Sequence, residues 1–575
     1  MSRSLDWRGA ARAIWGAVRA RPLLLAAYVA AAVALAVPLF AARWLPFQDW
    51  PQHLALASVI RHGRDPAWGF DRFFVVQWLE LSSYWMQYAT LAALSLLVPL
   101  EVAARLQLAV VFAATLLAAA SLCRAYDRSP WIGLLVAPTL YNTNLHYGFI
   151  SFCMGVPLWL WALAATERLL AAPSRRRAVG AGALYVATFF THHQIFVLLV
   201  ATVGVLVLCH SAPKDWRERA WRLLPLAVVV GVLFLPWLVS TLVLPPPADE
   251  AVRASGVDQS YGRLGALGLT YRDFKEVVLH FFRTVLSTVK DMKDRVVFVS
   301  WALLATAAVV LRRTEAEVHG WRAALHAFRL EALLGVTVAA FLYMPSSMKG
   351  LFYISPRFLP LALLLWALLP RFRTERVAAA FGLGAVALTV WLASIMQAEY
   401  RRFDREVGNL DAALAALPMG SATLVLEYGR GSDVAQLEPF LHVGAYAMVR
   451  RGGIVSNTFA KTAGVPVRYL SPEATPVYKT NSNPLDARNV AFFDHVLVFR
   501  GPGKKKGGKR VEIPRTLTEA RRSFTTLYED DRWIVLAYPP RGTLAPAATA
   551  GETAPAAVTP APEPRESDAA PTAAP

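Results

Sequence analysis

Cysteine and acidic residues are both scarce in this chain, and their scarcity narrows the chemistry it can perform. Its 575 residues include 3 cysteines, and 40 aspartates and glutamates stand against 59 lysines and arginines. The cysteines lie in or beside apolar segments, so they indicate neither a disulfide framework nor a cysteine-based metal site. No cluster of histidine, aspartate and glutamate has a spacing diagnostic of metal ligation. The sequence therefore predicts no cofactor; a divalent metal ion is compatible with it but is not indicated.

Hydrophobic residues are abundant and make up 56% of the chain. They form repeated apolar runs of roughly 15–22 residues, about the length that a helix needs to cross a bilayer. The formal net charge of +19 could suggest nucleic-acid binding. However, the arginines form short clusters between the apolar runs, where the positive-inside rule places them. We therefore predict a mainly α fold, a polytopic transmembrane helix bundle with about 10–12 membrane segments, and no nucleic-acid partner.

The arginine clusters also predict the orientation of the chain. Residues 1–21 carry five arginines against one acid, which places the N-terminus in the cytoplasm. The run 22–41 is too long for a removable signal peptide and lacks a small-residue cleavage site. Further along, T-H-H-Q breaks the long apolar run 178–209 into two short helices. The chain should be a multi-pass protein of the bacterial cytoplasmic membrane, with everything after about residue 400 outside.

One ambiguity concerns the apolar segments that precede arginines 175–177, which should be cytoplasmic. Five full crossings from a cytoplasmic start would end outside, so one of the segments must be interfacial or re-entrant. We favour residues 82–100 for that role because their start is polar and aromatic. The five segments are residues 22–41, 82–100, 102–122, 131–147 and 149–170.

The predicted domain organisation follows from these signals. Strand-like patterns occur at residues 421–428, 495–500 and 533–538, and the basic run 501–510 is typical of a mobile linker. The end of the chain is rich in alanine and proline and lacks apolar periodicity. The predicted units are a cytoplasmic N-terminus (1–21), a transmembrane domain (22–400) with outer loops at 42–81 and 244–296, a small extracytoplasmic α/β domain (401–540) and a disordered tail (541–575).

The candidate catalytic residues, Asp49 and His53, lie directly after the first apolar run, in W-L-P-F-Q-D-W-P-Q-H. Pro51 suits the first turn of a helix, where its missing N–H costs nothing. A helix that starts there places Asp49 and His53 four residues apart on one face. An acid and a base at a membrane boundary suit proton transfer on a lipid-borne substrate. The alternative is that Asp49 only caps a surface helix.

Further polar groups should reach the same outer face and are candidate substrate-binding residues. Ionisable groups at span ends in a chain this apolar are costly unless they snorkel, pair or act on a substrate. Two alternatives stay open: a histidine pair bonded to backbone carbonyls at a helix end, and an arginine that anchors the interface. The candidates are Asn144 and His146 in Y-N-T-N-L-H-Y-G-F, His192 and His193 in T-H-H-Q, Lys349, and Arg357 in S-P-R-F.

This order of features over residues 20–400 resembles the GT-C superfamily of integral-membrane glycosyltransferases, in particular bacterial members similar to the family-39, mannosyltransferase-like enzymes. The shared order is an Asp-containing outer loop, L-E-V-A-A-R-L-Q-L-A, Y-N-T-N-L-H-Y-G-F, a mid-chain histidine at an outer turn, and S-P-R-F-L-P-L-A-L-L-L. The resemblance implies a polyprenyl-phosphate sugar donor and assigns the role of general base to Asp49. Q-D-W-P-Q-H stands where family members often carry two adjacent acids, which leaves metal use unassigned.

The function that this resemblance implies is that of a hexosyltransferase of GT-C type. It would move a sugar from the lipid-linked donor to a glycan, lipid or protein acceptor of the cell envelope, with inversion at the sugar carbon. Arg357, ranked above Lys349 because a guanidinium fits phosphate better, would stabilise the leaving phosphate. The alternatives are a transporter, which would need ionisable residues within spans or repeat symmetry, and a non-catalytic scaffold with an outer binding domain.

Overall fold

The computed structural model describes most of the predicted membrane and outer domains. The basic linker from residue 503 to 510, most of the outer loop 244–296, residues 1–20, Lys349 and the tail 541–575 lie outside the described residues. The described residues are 21–78, 81–211, 215–242, 271, 273, 275, 277, 288–312, 320–348, 351–462, 464–476, 483–502 and 514–540.

The first part of the chain is a series of helices interrupted by one short strand, β1 (Phe74–Val76). A long 3₁₀ helix, Pro130–Thr139, lies between the fourth and fifth α-helices. The α-helices are α1 (Pro22–Phe40), α2 (Trp50–His62), α3 (Trp85–Leu94), α4 (Leu100–Ala125), α5 (Thr143–Tyr147), α6 (Ile150–Ala171), α7 (Arg175–Thr191) and α8 (His193–Cys209).

The second part of the bundle is also helical. One short hairpin, β2 (Ser347–Met348) and β3 (Leu351–Phe352), precedes a 3₁₀ turn at Ser355–Arg357. A π-helical turn at Val230–Phe234 joins the first two helices of this part. The helices are α9 (Trp216–Val229), α10 (Leu235–Leu242), α11 (Lys293–Val310), α12 (Trp321–Ala327), α13 (Arg329–Tyr343), α14 (Phe358–Ala367) and α15 (Glu375–Val407).

Among the described residues, five helices are long and apolar enough to cross a membrane, and the bent pair α12–α13 makes up to six. The predicted polytopic helix bundle is thereby confirmed, although several predicted segments are helices shorter than a full span. Three of these shorter apolar helices have 10–17 residues. The five long helices are α1, α4, α6, Trp216–Ser240 and α15.

The segment 131–147 crosses the bundle as the 3₁₀ helix followed by α5. Pro130 O, at one end, accepts a hydrogen bond from Tyr28 Oη (2.6 Å) near the start of α1. Tyr141 Oη, at the other end, donates to Leu35 O (2.6 Å) near the end of α1. By contrast α3 has 10 residues, which rise about 15 Å, half the thickness of a bilayer core. That residues 82–100 do not span stays a prediction.

The predicted break in the run 178–209 is confirmed, and it falls at His192. This residue ends α7 and caps α8 with an extended backbone (φ −164°, ψ 123°). Its Nδ1 accepts a hydrogen bond from Gln194 N (3.2 Å), which satisfies one of the main-chain donors at the start of α8.

The C-terminal part of the chain is a small α/β domain built on a five-stranded sheet in the order β5-β4-β7-β9-β8. The inner strands are parallel where β4 meets β5 and β7, and antiparallel where β9 meets β7 and β8. The strands lie at the three predicted positions, and β8 and β9 form an antiparallel hairpin. The elements are α16 (Leu410–Ala415), β4 (Ala422–Glu427), α17 (Tyr446–Arg451), β5 (Ile454–Val455), β6 (Val467–Tyr469), α18 (Ala487–Phe492), β7 (His495–Phe499), α19 (Arg515–Ser523), β8 (Thr525–Glu529) and β9 (Trp533–Ala537).

Two elements join this domain to the bundle. Helix α15 has 33 residues and is about 50 Å long, which exceeds the ~30 Å core of a bilayer. Its last residue, Val407, accepts a hydrogen bond from Trp533 Nε1 (2.8 Å) in the sheet. Strand β1, from the first outer loop, pairs antiparallel with β6. The predicted domain boundary at residue 401 therefore falls within a continuous helix.

The orientation can be tested by cysteine labelling in a variant that lacks Cys123, Cys153 and Cys209. All four test positions are exposed, so differences in labelling report sidedness and not burial. Arg61→Cys and Asp433→Cys should react with an impermeant thiol reagent added to intact cells, whereas Arg176→Cys and Arg373→Cys should react only after permeabilisation. Labelling of position 176 in intact cells would overturn the predicted orientation.

Candidate active site at one end of the bundle

The turn Y-N-T-N-L-H-Y-G, which contains α5, supports the start of α2. Asn142 caps α5, and its Oδ1 accepts hydrogen bonds from Asn144 N (2.9 Å) and Leu145 N (3.4 Å). Gly148 ends the helix in the left-handed conformation (φ 83°), which glycine adopts without steric cost. The turn is therefore compact and leaves the last carbonyls of α5 available to another segment.

Those carbonyls bind the segment that carries Asp49. Gln48 N donates to His146 O (2.9 Å), and Asp49 N donates to Tyr147 O (3.0 Å). The approach is so close that a Cβ added to Gly148 would lie 2.8 Å from Asp49 N. Only glycine fits at this position, and the main chain of Asp49 is fixed by the contact.

The Asp49 side chain does not cap α2, although the residue occupies the N-cap position. The capping alternative raised by the sequence therefore does not describe this carboxylate. Its Oδ1 lies 3.6 Å from His442 Nε2 of the C-terminal domain, and its side chain is 14% exposed. Burial raises the pKa of Asp49 to about 7, against the opposing effects of the Arg357 charge and a hydrogen bond with Gln48.

His53 lies one turn further along α2 and is buried. Its Nδ1 is 2.8 Å from Tyr88 Oη of α3, and its ring packs against Phe459 (centroids 5.5 Å apart). Burial lowers the pKa of His53 to about 4, so the ring is neutral at ordinary pH. The His53 imidazole is thus within hydrogen-bond distance of the Tyr88 hydroxyl.

Arg357 is buried at the start of α14, with 7% of its surface exposed. Its guanidinium carbon lies 3.7 Å from the centroid of the Phe149 ring. Nε donates to Tyr353 O (2.8 Å), and Nη1 donates to Gln194 Oε1 (3.2 Å). An arginine held in this way does not snorkel to a surface, so the anchor alternative does not match its position. Its charge acts on Asp49.

The pair His192 and His193 lies beside Arg357, between α7 and α8. The two rings stack with centroids 4.9 Å apart, and Tyr84 packs edge-on against His192 (5.4 Å). Ser83 Oγ lies 3.3 Å from His193 Nδ1. The charge of Arg357 acts on both rings. The helix-end alternative describes His192 in part, because its Nδ1 accepts a main-chain N–H.

Asn144 and His146 contact the residues and helices that surround the candidate site. Asn144 Nδ2 donates to Arg357 O (3.0 Å) and so holds the main chain of the arginine. His146 uses both ring nitrogens: Nδ1 lies 3.0 Å from Asn142 O, and Nε2 lies 3.1 Å from Tyr400 Oη of α15. The structure therefore brings Asp49, His53, His192, His193 and Arg357 together and places Asn144 and His146 beneath them.

Sequence reasoning missed the contribution of the C-terminal domain. No local pattern marks His442, Asn457 or Lys461, which reach the site from loops between strands. Tyr84 and Gln194, which contact the histidine pair and Arg357, were also missed, although both lie within the segments that the sequence singled out. Among the described residues, no group of three or more His, Cys, Asp or Glu side chains is placed to hold a metal ion.

The comparisons with known proteins bear on the fold. No family model and no curated protein matches the chain. Among solved structures it is similar to ArnT from Cupriavidus metallidurans bound to undecaprenyl phosphate, with a TM-score of 0.53 and 14% identity over 91% of this chain and 99% of ArnT. ArnT in the apo state gives a TM-score of 0.52 with 13% identity, over 91% of this chain and 98% of ArnT. The arabinofuranosyltransferase AftD from Mycobacteria gives 0.48 with 15% identity, over 90% of this chain and 41% of AftD.

The chain therefore has the fold of the two ArnT structures, and the GT-C-like helix bundle that the resemblance of residues 20–400 predicted is confirmed. ArnT is one structure that the chain matches along nearly the whole length of both proteins. That match covers 91% of this chain, which is more than the 20–400 span of the resemblance.

The contact between Gly148 and Asp49 leads to a prediction. Gly148→Ala should lower the thermal stability of the protein in detergent, because a left-handed backbone costs an L-residue roughly 1–2 kcal/mol and the added Cβ collides with Asp49 N. Gly204→Ala is the matched control, since a Cβ at Gly204 in α8 meets nothing within 4 Å. Equal midpoints of thermal unfolding for the two variants would contradict the close packing described here.

Proposed function

We propose that this chain is a glycosyltransferase of GT-C type. It moves a sugar from a polyprenyl-phosphate donor to a glycan, lipid or protein acceptor of the cell envelope, at the outer face of the cytoplasmic membrane. The fold supports the class of enzyme, and the undecaprenyl phosphate bound to ArnT supports a lipid-linked donor. Neither the fold nor the ligand bound to ArnT identifies the donor sugar or the acceptor of this chain.

The environment of Asp49 is the observation that supports this proposal. Its main chain is held by α5, its side chain does not cap α2, and its carboxylate lies among basic groups outside the long apolar helices. A general base works best when its pKa is near the operating pH, and burial raises the pKa of Asp49 to about 7. A surface helix cap needs none of these features.

The reaction that we propose is a single inverting displacement. The Asp49 carboxylate takes the proton of an acceptor hydroxyl as its oxygen attacks the anomeric carbon of the donor sugar. The bond between that carbon and the phosphate oxygen breaks, and its electron pair leaves with the lipid phosphate. Charge thus moves from Asp49 to the phosphate during the step.

Arg357 is the residue that we propose to stabilise the departing phosphate. A guanidinium presents five N–H donors in a planar arrangement that matches phosphate oxygens. The bonds to Tyr353 O and Gln194 Oε1 orient that plane before a donor arrives, which is how electrostatic stabilisation becomes effective. His192 and His193 are proposed to line the same side, Asn144 and His146 to support it, and Lys349 to add charge. His53 is proposed to assist next to Asp49.

The first test changes Asp49. Asp49→Asn should lower sugar transfer by roughly 10²–10⁴-fold, the usual worth of a positioned general base, while thermal unfolding stays close to the parent. Asp49→Glu should also lose activity because misplacement of about 1 Å is costly. The assay is transfer from labelled polyprenyl-phosphate sugars by membranes that contain equal amounts of each protein. Full activity in Asp49→Asn would remove the catalytic role.

The pH dependence of the parent enzyme follows from the same residue. Transfer requires the ionised carboxylate, so the rate should fall as the pH drops through about 7, the pKa to which burial raises Asp49. The acid limb of kcat/KM should have a slope of one proton. A rate that stays flat from pH 5 to pH 8 would contradict a base with this pKa.

The last test compares Arg357 with Arg128. Arg357→Lys keeps a charge but loses the planar fork, so transfer should fall by about 10–10²-fold. Arg128→Lys is the matched control, because Arg128 is also bonded to main-chain carbonyls, those of Leu368 and Leu369, but lies away from Asp49. Equal losses in both variants would show that the effect reports packing and not the phosphate.

A further inference from the structure

A row of polar side chains from the C-terminal domain ends at Asp49. Lys461 Nζ donates to Asn457 Oδ1 (3.0 Å). Asn457 Nδ2 lies 3.4 Å from His442 Nδ1, and His442 Nε2 lies 3.6 Å from Asp49 Oδ1. The row connects a lysine in the 3₁₀ turn Phe459–Lys461 to the candidate base.

The lysine at one end of the row sets the orientation of the polar groups that follow it. An ammonium group can only donate, so the oxygen of the Asn457 amide must face Lys461. The amide nitrogen then faces His442 and donates to Nδ1, which must accept. A neutral imidazole with an accepting Nδ1 carries its proton on Nε2. His442 therefore directs an N–H toward the Asp49 carboxylate.

The row is held against α2 by a second side chain. Gln52 Nε2 donates to Asn457 O (2.7 Å), and Gln52 Oε1 accepts from Phe459 N (3.1 Å). One amide thus pairs with the main chain of the 457–459 segment, in the way that a neighbouring strand would. Because Gln52 lies one turn after Asp49 on the same helix, the distance between His442 and Asp49 is set by this pairing.

Burial, together with the positive charges near the row, keeps His442 neutral. Burial lowers the pKa of His442 to about 3, assisted by Lys461, Arg430 and His53. The groups that face Asp49 are Arg357 before α14, Tyr84 and Tyr88 at the start of α3, and His442 itself. The contact is accordingly a neutral donor beside a carboxylate and not an ion pair.

We infer that His442 is a positioning residue for the Asp49 carboxylate, held in its Nε2–H form by Asn457 and Lys461, so that the C-terminal domain completes the candidate active site. The link to catalysis rests on the proposed function of Asp49 as the base. The contact between His442 and Asp49 does not, and its effect can be measured without a transfer assay. A donor aimed at a carboxylate orients it and favours its ionised form.

The test compares two substitutions of His442 in the full-length protein. His442→Phe keeps a ring and removes the donor, whereas His442→Gln keeps an N–H within reach of the same position. The readout is the rate at which a water-soluble carbodiimide modifies Asp49 as a function of pH, quantified by mass spectrometry of the Asp49 peptide. His442→Phe should move the midpoint up, by at most about one pH unit, because an N–H aimed at a carboxylate favours its ionised form. His442→Gln should stay near the parent.

A histidine elsewhere in the same domain supplies the control. His495 begins β7 on the sheet, so His495→Phe should leave the Asp49 midpoint unchanged. Where sugar transfer is measurable, the acid limb of the pH–rate profile should move with the midpoint in His442→Phe and remain in place in His495→Phe. A structural role for His442 predicts instead a loss of rate at every pH without a shift.

The outcomes separate this inference from the proposed function. An unchanged midpoint in a folded His442→Phe variant would overturn the positioning role. A shifted midpoint in a protein that transfers no sugar would support the positioning role and count against the function. If His442→Phe does not fold, the same midpoint is measured in Lys461→Met, which leaves His442 in place and releases the Asn457 amide. A smaller shift in the same direction supports the inference, and no shift overturns it.

Discussion

Two main-chain hydrogen bonds, from Gln48 N and Asp49 N to the last carbonyls of α5, are the contacts on which the candidate site depends. They fix the point where the chain leaves the end of α1 and begins α2. The bonds are possible because Gly148 has no side chain to separate the two segments. Unpaired N–H groups at a membrane boundary are costly, so this pairing stabilises the turn and also sets the position of the carboxylate.

Helix α2, which starts at this point, also contacts the C-terminal domain. Gln52 pairs with the main chain of residues 457–459, and β1 adds a second pairing to β6. Helix α15 supplies the third connection, since Tyr400 contacts His146 and Val407 contacts Trp533. The helix bundle and the C-terminal domain therefore meet around Asp49, which contacts both of them.

Short sequence patterns predicted the structural features that are determined by neighbouring residues in the chain. The strands of the outer sheet and the break at His192 follow from short apolar runs and a polar interruption, and the structure has them there. Asp49 and Arg357 could be singled out because each is an ionisable group at the end of an apolar run. His442 could not, because its contact with Asp49 comes from the packing of distant segments. The bond between His146 and Tyr400 is hidden for the same reason, and so is the continuity of α15 through residue 401.

The pairing of Gln52 with Asn457 also constrains how the protein is made. The two residues are 405 positions apart in the chain, and at ~5–20 residues per second a ribosome needs roughly 20–80 s to cover that distance. Throughout this interval the nascent segment around Gln52 lacks its partner, residues 457–459. The bonds of Gln52 can form only after the C-terminal domain has been synthesised. Biosynthesis itself thus delays the completed site until the whole chain is in place.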